Sequence, residues 1–221
     1  MRSVLRQCSV LIPVLLLAAS SFAQQYSFRH FGVKDGLGAA TVNAIFQDSR
    51  GYIWFATQGG GASRYNGHAF ETYTRSDGLI GNDVICFAED SAGNIWIGTS
   101  KGASRFNGLE FTNFNEEDGL NVSRGIYSIL CAGHGKAWMG VRGAGAAIYD
   151  GKSFAYIGSE QGLLTDSKGF PNVYAIVQVD IWTIWMACTK AAASFDGMTV
   201  TVHEAEAAKG KSFFSAVADS E

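Results

Sequence analysis

The sequence predicts an all-β fold, a β-propeller of four-stranded antiparallel blades that is incomplete, with four blades and the start of a fifth. Three recurring landmarks carry that expectation. Asp35-Gly36-Leu37 returns as Asp77-Gly78-Leu79, Asp118-Gly119-Leu120 and Gln161-Gly162-Leu163, with glycines 42, 41 and 43 residues apart. Trp54, Trp96 and Trp138 follow at steps of 42 residues, and Trp185 comes 47 later. Asn66-Gly67, Asn107-Gly108, Asp150-Gly151 and Asp196-Gly197 mark a third position in each repeat. Four-stranded units of this length are propeller blades, because a lone small sheet cannot cover either of its faces and stacking around an axis buries both.

The elements follow in order. Residues 1–23 read as a signal peptide: Arg2 and Arg6 precede an apolar run from Val10 to Ala19, too short to span a bilayer, and Ser21-Phe22-Ala23 offers small residues for cleavage after Ala23. Residues 24–221 then form the partial propeller. Tyr26 to Phe31 resembles an outermost strand that precedes any inner one, as if donated to close a ring. Blades are expected at about 40–74, 82–115, 122–158 and 171–203. In the second, Asp83 to Glu89 is the innermost strand, Asp90-Ser91-Ala92-Gly93 a turn, and Asn94 to Thr99 the second strand. Gly102 to Phe106 is the third strand, Asn107-Gly108 a type I′ hairpin turn, and Glu110 to Phe114 the outermost strand. The Trp of the second strand and Phe70, Phe111 and Phe154 of the outermost strands should fill the space between blades. In the fourth repeat the first turn becomes Val179-Asp180-Ile181-Trp182-Thr183, which is taken to hold about four extra residues. A fifth blade begins at about 212 with a first strand, so the sequence reads as part of a longer protein. Four blades and part of a fifth should expose apolar sheet faces and favour self-association.

Composition narrows the function. Formal net charge is −3, and it becomes −5 once Arg2 and Arg6 leave with the signal; nothing here favours nucleic acid as a partner. No transmembrane span is expected after cleavage. Cys86, Cys131 and Cys188 remain, an odd number without short spacing, and read as small core residues rather than a disulfide framework or zinc site. His30, His68, His134 and His203 lack metal-ligand spacing. Gly59-Gly60-Gly61 lies between strands and opens no helix, so it is not a phosphate cradle. No catalytic residue, metal site or cofactor is expected.

The second repeat resembles the two-component regulator propeller repeat. The resembling residues are Asp77-Gly78-Leu79, Asn82-Asp83-Val84, Glu89 through Thr99, and Lys101 through Gly108. Residues 26–158 match that pattern closely and 159–203 loosely. The resemblance implies the periplasmic sensor region of a hybrid histidine kinase or related receptor, responding to a small molecule or oligosaccharide. It also implies a dimer formed through C-terminal regions outside this sequence, and a histidine kinase whose motifs this chain lacks.

Residues repeated in every blade serve the blade, so binding should reside where blades differ. The starts of the innermost strands vary: Ala40-Thr41, Asn82-Asp83, Arg124-Gly125 and Pro171-Asn172. So do Gln58, Ser100, Arg142 and Lys190 after the second strand. Asn82, Asp83, Arg124 and Arg142 are the candidate ligand-binding residues. Two other readings stand beside a sensor. One is a protein–protein scaffold, marked by an exposed apolar patch. The other is a propeller hydrolase or lyase, which needs a cluster of His and acidic groups that the sequence does not display.

Overall fold

The computed structural model describes residues 28–122 and 124–204. The signal region and the start of a fifth blade fall outside them. Residues 28–30, the described end of a first compact unit, carry no regular secondary structure. The rest forms the second unit, and no α-helix occurs among the described residues.

Sixteen strands form four antiparallel sheets, each in simple meander order. The first holds β1 (Val42–Gln47), β2 (Ile53–Thr57), β3 (Gly61–Tyr65) and β4 (Phe70–Tyr73). The second holds β5 (Val84–Glu89), β6 (Ile95–Thr99), β7 (Gly102–Phe106) and β8 (Phe111–Phe114). The third holds β9 (Ile126–Ala132), β10 (Lys136–Val141), β11 (Gly145–Tyr149) and β12 (Phe154–Ile157). The fourth holds β13 (Val173–Gln178), β14 (Ile184–Cys188), β15 (Ala192–Phe195) and β16 (Val200–His203). The first strands pack in succession, β1 on β5, β5 on β9 and β9 on β13, so these strands line the inside of the arc. The arc is an incomplete propeller.

The repeated motifs are scaffold. Asp77 Oδ2 accepts the Thr74 amide at 2.9 Å, and Asp118 and Asp35 do the same for Asn115 and Gly32. In the fourth copy Gln161 accepts from Gly158 at 2.8 Å, which explains how Gln replaces Asp without loss of the turn. Gly78 then takes φ 102°, a region that a Cβ penalises. The leucine that follows plugs the space between sheets: Leu79 and Leu120 are 2% and 0% exposed.

Between sheets the aromatics interdigitate as expected. Trp54 lies 5.8 Å from Phe87 and 6.1 Å from Phe106 of the next sheet, and Trp96 lies 5.9 Å from Tyr149. Tyr73, ending β4, packs on Phe106 and Phe111; Phe114, ending β8, packs on Tyr149 and Phe154. A buried aspartate fixes the Trp edge. Asp48 Oδ2 accepts Trp54 Nε1 at 2.9 Å, while Oδ1 accepts the Arg50 and Tyr52 amides. Asp90 repeats this with Trp96.

The fourth sheet corrects one expectation. The register Gln178↔Ile184 matches Glu89↔Ile95, so the turn at 179–183 is no longer than its counterparts. The additional residues lie before β13, in the connection from Leu163 to Val173. There they form a small closed loop, with a bridge from Thr165 to Pro171 and Asp166 Oδ1 accepting the Lys168 and Phe170 amides. A turn of fixed length is what the strand register demands. The loop outside the sheet is free to grow.

Candidate functional site

A concavity of about 730 Å³ opens where the four innermost strands begin. The backbone around it is the same in every sheet. The amides of Gln58, Ser100, Arg142 and Thr189 donate to the carbonyls of Thr41, Asp83, Gly125 and Asn172 at 3.0, 3.1, 3.3 and 3.1 Å. The residue preceding each strand and the residue leaving the second strand are therefore held side by side four times, with different side chains each time.

The concavity is also lined by one further residue per sheet, and a backbone irregularity puts it there. Each innermost strand carries a register shift just after its first residue, between Val42 and Ala44, Val84 and Cys86, Ile126 and Ser128, and Val173 and Ala175. Asn43, Ile85, Tyr127 and Tyr174 are the residues left out of the ladder, and all four line the cavity. A β-bulge turns the unpaired side chain away from the alternation of its strand. Here it aims two tyrosines, an amide and an isoleucine at the same space.

Of the sequence-derived candidates, Asp83 and Arg142 line this cavity, together with Gln58 and Ser100. The Ser100 hydroxyl reaches Asp83 Oδ2 at 3.5 Å. Arg142 Nη1 donates to Tyr127 Oη at 3.2 Å, a bond that holds the guanidinium firmly protonated. Tyr127 and Tyr174 meet edge to face, centroids 6.2 Å apart. Asn43 Nδ2 donates to the Val84 carbonyl at 2.7 Å.

Asn82 and Arg124 are placed elsewhere. Asn82 Oδ1 accepts the Arg75 amide at 2.8 Å and its carbonyl accepts the Gly61 amide at 2.9 Å, so it ties two loops together. Arg124 is exposed and sits 4.5 Å above the Phe170 ring of the enlarged loop. In the fourth sheet the residue equivalent to Arg142 is Thr189, buried and bonded to Asn172 Nδ2 at 2.9 Å. Lys190 lies one place beyond, at φ 64°. Sequence spacing missed Tyr127 and Tyr174. Their only sequence signal is that they follow the buried Ile126 and Val173 that open each strand.

Among the described residues no group of three or more His, Cys, Asp or Glu side chains is arranged to hold a metal, and no helix is long and apolar enough to cross a membrane.

Residues 36–59 and 78–101 match the two component regulator propeller family, so these stretches are repeats of that kind. No curated protein matches the sequence. Among solved structures, the extracellular domain of a hybrid two component system from B. thetaiotaomicron is similar, at 22% identity and TM-score 0.64 over 76% of this chain. The chain spans 23% of that structure's length. PorZ, a surface component of the type-IX secretion system of Porphyromonas gingivalis, is similar at 16% identity and TM-score 0.56, over 77% of this chain and 28% of PorZ. Virginiamycin B lyase from Staphylococcus aureus is similar at 16% identity and TM-score 0.54, over 73% of this chain and 55% of the lyase. At these identities the likeness is one of fold.

Proposed function

We propose that this chain is the ligand-sensing propeller region of an exported two-component receptor, and that its ligand is a small molecule of the oligosaccharide class. The observation that carries the reading is the bulge-aimed cavity. A scaffold repeated four times presents Asn43, Asp83, Tyr127, Arg142 and Tyr174 at one mouth, and no two sheets present the same set. Amide, carboxylate and guanidinium groups suit the dense hydroxyls of a sugar, and tyrosine faces suit its apolar C–H side. The matched repeats and the extracellular domain of similar fold support a place outside the cytoplasm. Residues 1–23 are proposed as the cleaved signal and the periplasm as the compartment, with output domains supplied by a longer protein.

One described residue supports the proposed closing strand at 26–31. Phe31 packs on Tyr65 and Phe70 at 5.0 and 5.4 Å, as Tyr73 packs on Phe106 and Phe111 one sheet later. It stands where the last residue of an outermost strand stands.

Calorimetric titration of the full chain with a panel of neutral and acidic oligosaccharides tests the ligand. At least one should bind saturably, and Arg142→Ala together with Tyr127→Ala should weaken it about a hundredfold, the loss of one charge-assisted bond and one aromatic contact. Binding by none of the panel, or unchanged affinity in the double variant, would overturn the reading.

A further inference from the structure

A second cavity, of about 260 Å³, lies at the opposite end of the strands, between the second and third sheets. The same place between the first and second sheets supplies an internal comparison. There the Ser49 amide and hydroxyl both donate to the Glu89 carboxylate, at 2.7 and 2.6 Å, and Arg64 pairs with Glu71. Two carboxylates close that junction.

Both are missing one sheet later. Pairing registers make Cys131 the counterpart of Glu89, since Cys131 opposes Ala137 as Glu89 opposes Ile95. Thr112 is the counterpart of Glu71, since it opposes Arg105 as Glu71 opposes Arg64. The cationic and donor groups remain. Arg105 lies 5.6 Å over the Trp96 ring, and neither it nor Lys136 has an ion pair among the described residues. Ser91, the counterpart of Ser49, has no hydrogen bond among the described residues to its amide or its hydroxyl. All of these groups line the cavity, with Cys131 in its wall.

We propose that this cavity binds a small carboxylate-bearing molecule, whose carboxylate takes on Ser91 the place that Glu89 takes on Ser49, with Arg105 and Lys136 balancing its charge. The Cys131 thiol offers no competing charge: burial pushes it up to about 12, so it is neutral at physiological pH. Asp90 is an anion in the cavity wall, its carboxylate held by hydrogen bonds from Ala92, Asn94 and Trp96, and Arg105 and Lys136 must offset its repulsion. Its counterpart Asp48 already coexists with Glu89 in the same arrangement. The volume is below the about 300–1,000 Å³ of sites for drug-sized ligands, so the occupant is of monosaccharide size. The site is independent of the mouth at the other end of the strands.

The probe is D-glucuronate, with D-glucose as its neutral counterpart, titrated calorimetrically into the full chain. Glucuronate should bind saturably and glucose at least about tenfold more weakly, the difference expected from one charge-assisted contact. Arg105→Gln should weaken glucuronate about tenfold or more by the same contact. Cys131→Glu should abolish binding without lowering the melting temperature, because the new carboxylate would satisfy Ser91 from within. The proposal is overturned by absent glucuronate binding, by equal binding of glucose, or by wild-type affinity in Cys131→Glu. If Cys131→Glu does not fold, Arg105→Gln decides alone: a tenfold loss supports the site and unchanged affinity removes it.

Discussion

Asp48→Asn tests whether the repeated aspartate is a structural clamp. Asp48 is 4% exposed, and its two oxygens divide the work between backbone amides and the Trp54 indole. Asparagine keeps the shape. If its oxygen stays on the Arg50 and Tyr52 amides, its NH2 group must face Trp54 Nε1 at 2.9 Å, donor against donor. One buried charge-assisted bond is lost and one indole N–H is left unsatisfied, a cost of about 2–4 kcal/mol. For a domain of this size that lowers the melting temperature by roughly 5–15 °C. Ala132 occupies the same position in the third sheet, yet Trp138 there is still only 4% exposed. Packing alone therefore suffices to bury the ring, and the variant should still fold. Thermal and urea unfolding of the full chain followed by circular dichroism measures the difference. A change below about 0.5 kcal/mol, within the range of neutral surface substitutions, would refute the clamp.

Other outcomes follow from the same framework. Leu120→Ala empties a fully buried plug between the second and third sheets and should cost about 2–5 kcal/mol in urea unfolding, with the spread set by how far the gap collapses. Acid should destabilise the fold. Backbone amides of Thr199 and Met198 hold the Asp196 carboxyl at about 2, and Asp77, Asp150 and Asp180 are held below the usual range by turn hydrogen bonds. Asp90 is lowered too: burial pushes it up, but hydrogen bonds from Asn94, Trp96 and Ala92 outweigh that. Carboxyls depressed in the folded state stabilise it above their unfolded value, near 4, and lose that contribution as pH falls through the folded values. Melting temperature should thus be flat from pH 7 to about 5 and fall steadily toward pH 2.

The repeat was legible because each landmark has a local cause that composition alone displays. Asp-Gly-Leu needs a carboxylate for one amide, a residue free to take positive φ, and an apolar plug. At Asn107-Gly108 the expected type I′ turn is corrected: Asn107 does not take positive φ, and a four-residue loop between the paired Phe106 and Phe111 is held by Asn107 Oδ1 accepting the Leu109 and Glu110 amides, with only Gly108 at positive φ. These requirements act over a few neighbours and return in every sheet, so the fold class and the scaffold status of the repeated Asp could be read without coordinates. The candidates Asp83 and Arg142 were reachable the same way, as non-repeated side chains at repeated positions.

What the repeat spacing could not supply is register. A bulge is defined by which residue of β9 lacks a partner on β10, a relation between chain segments rather than a property of either. The roles of Tyr127 and Tyr174 therefore emerged only from the paired sheets. The same holds for Thr189 in place of Lys190, for the extra residues before β13, and for Asn82, whose polar side chain is spent on the Arg75 amide. Sequence by itself determined that this chain makes stacked four-stranded sheets, because local turn chemistry and burial leave few alternatives. Tertiary structure decided which side chains meet at a mouth and which junction between sheets lacks its carboxylates, because those depend on distances across strands that no single repeat encodes.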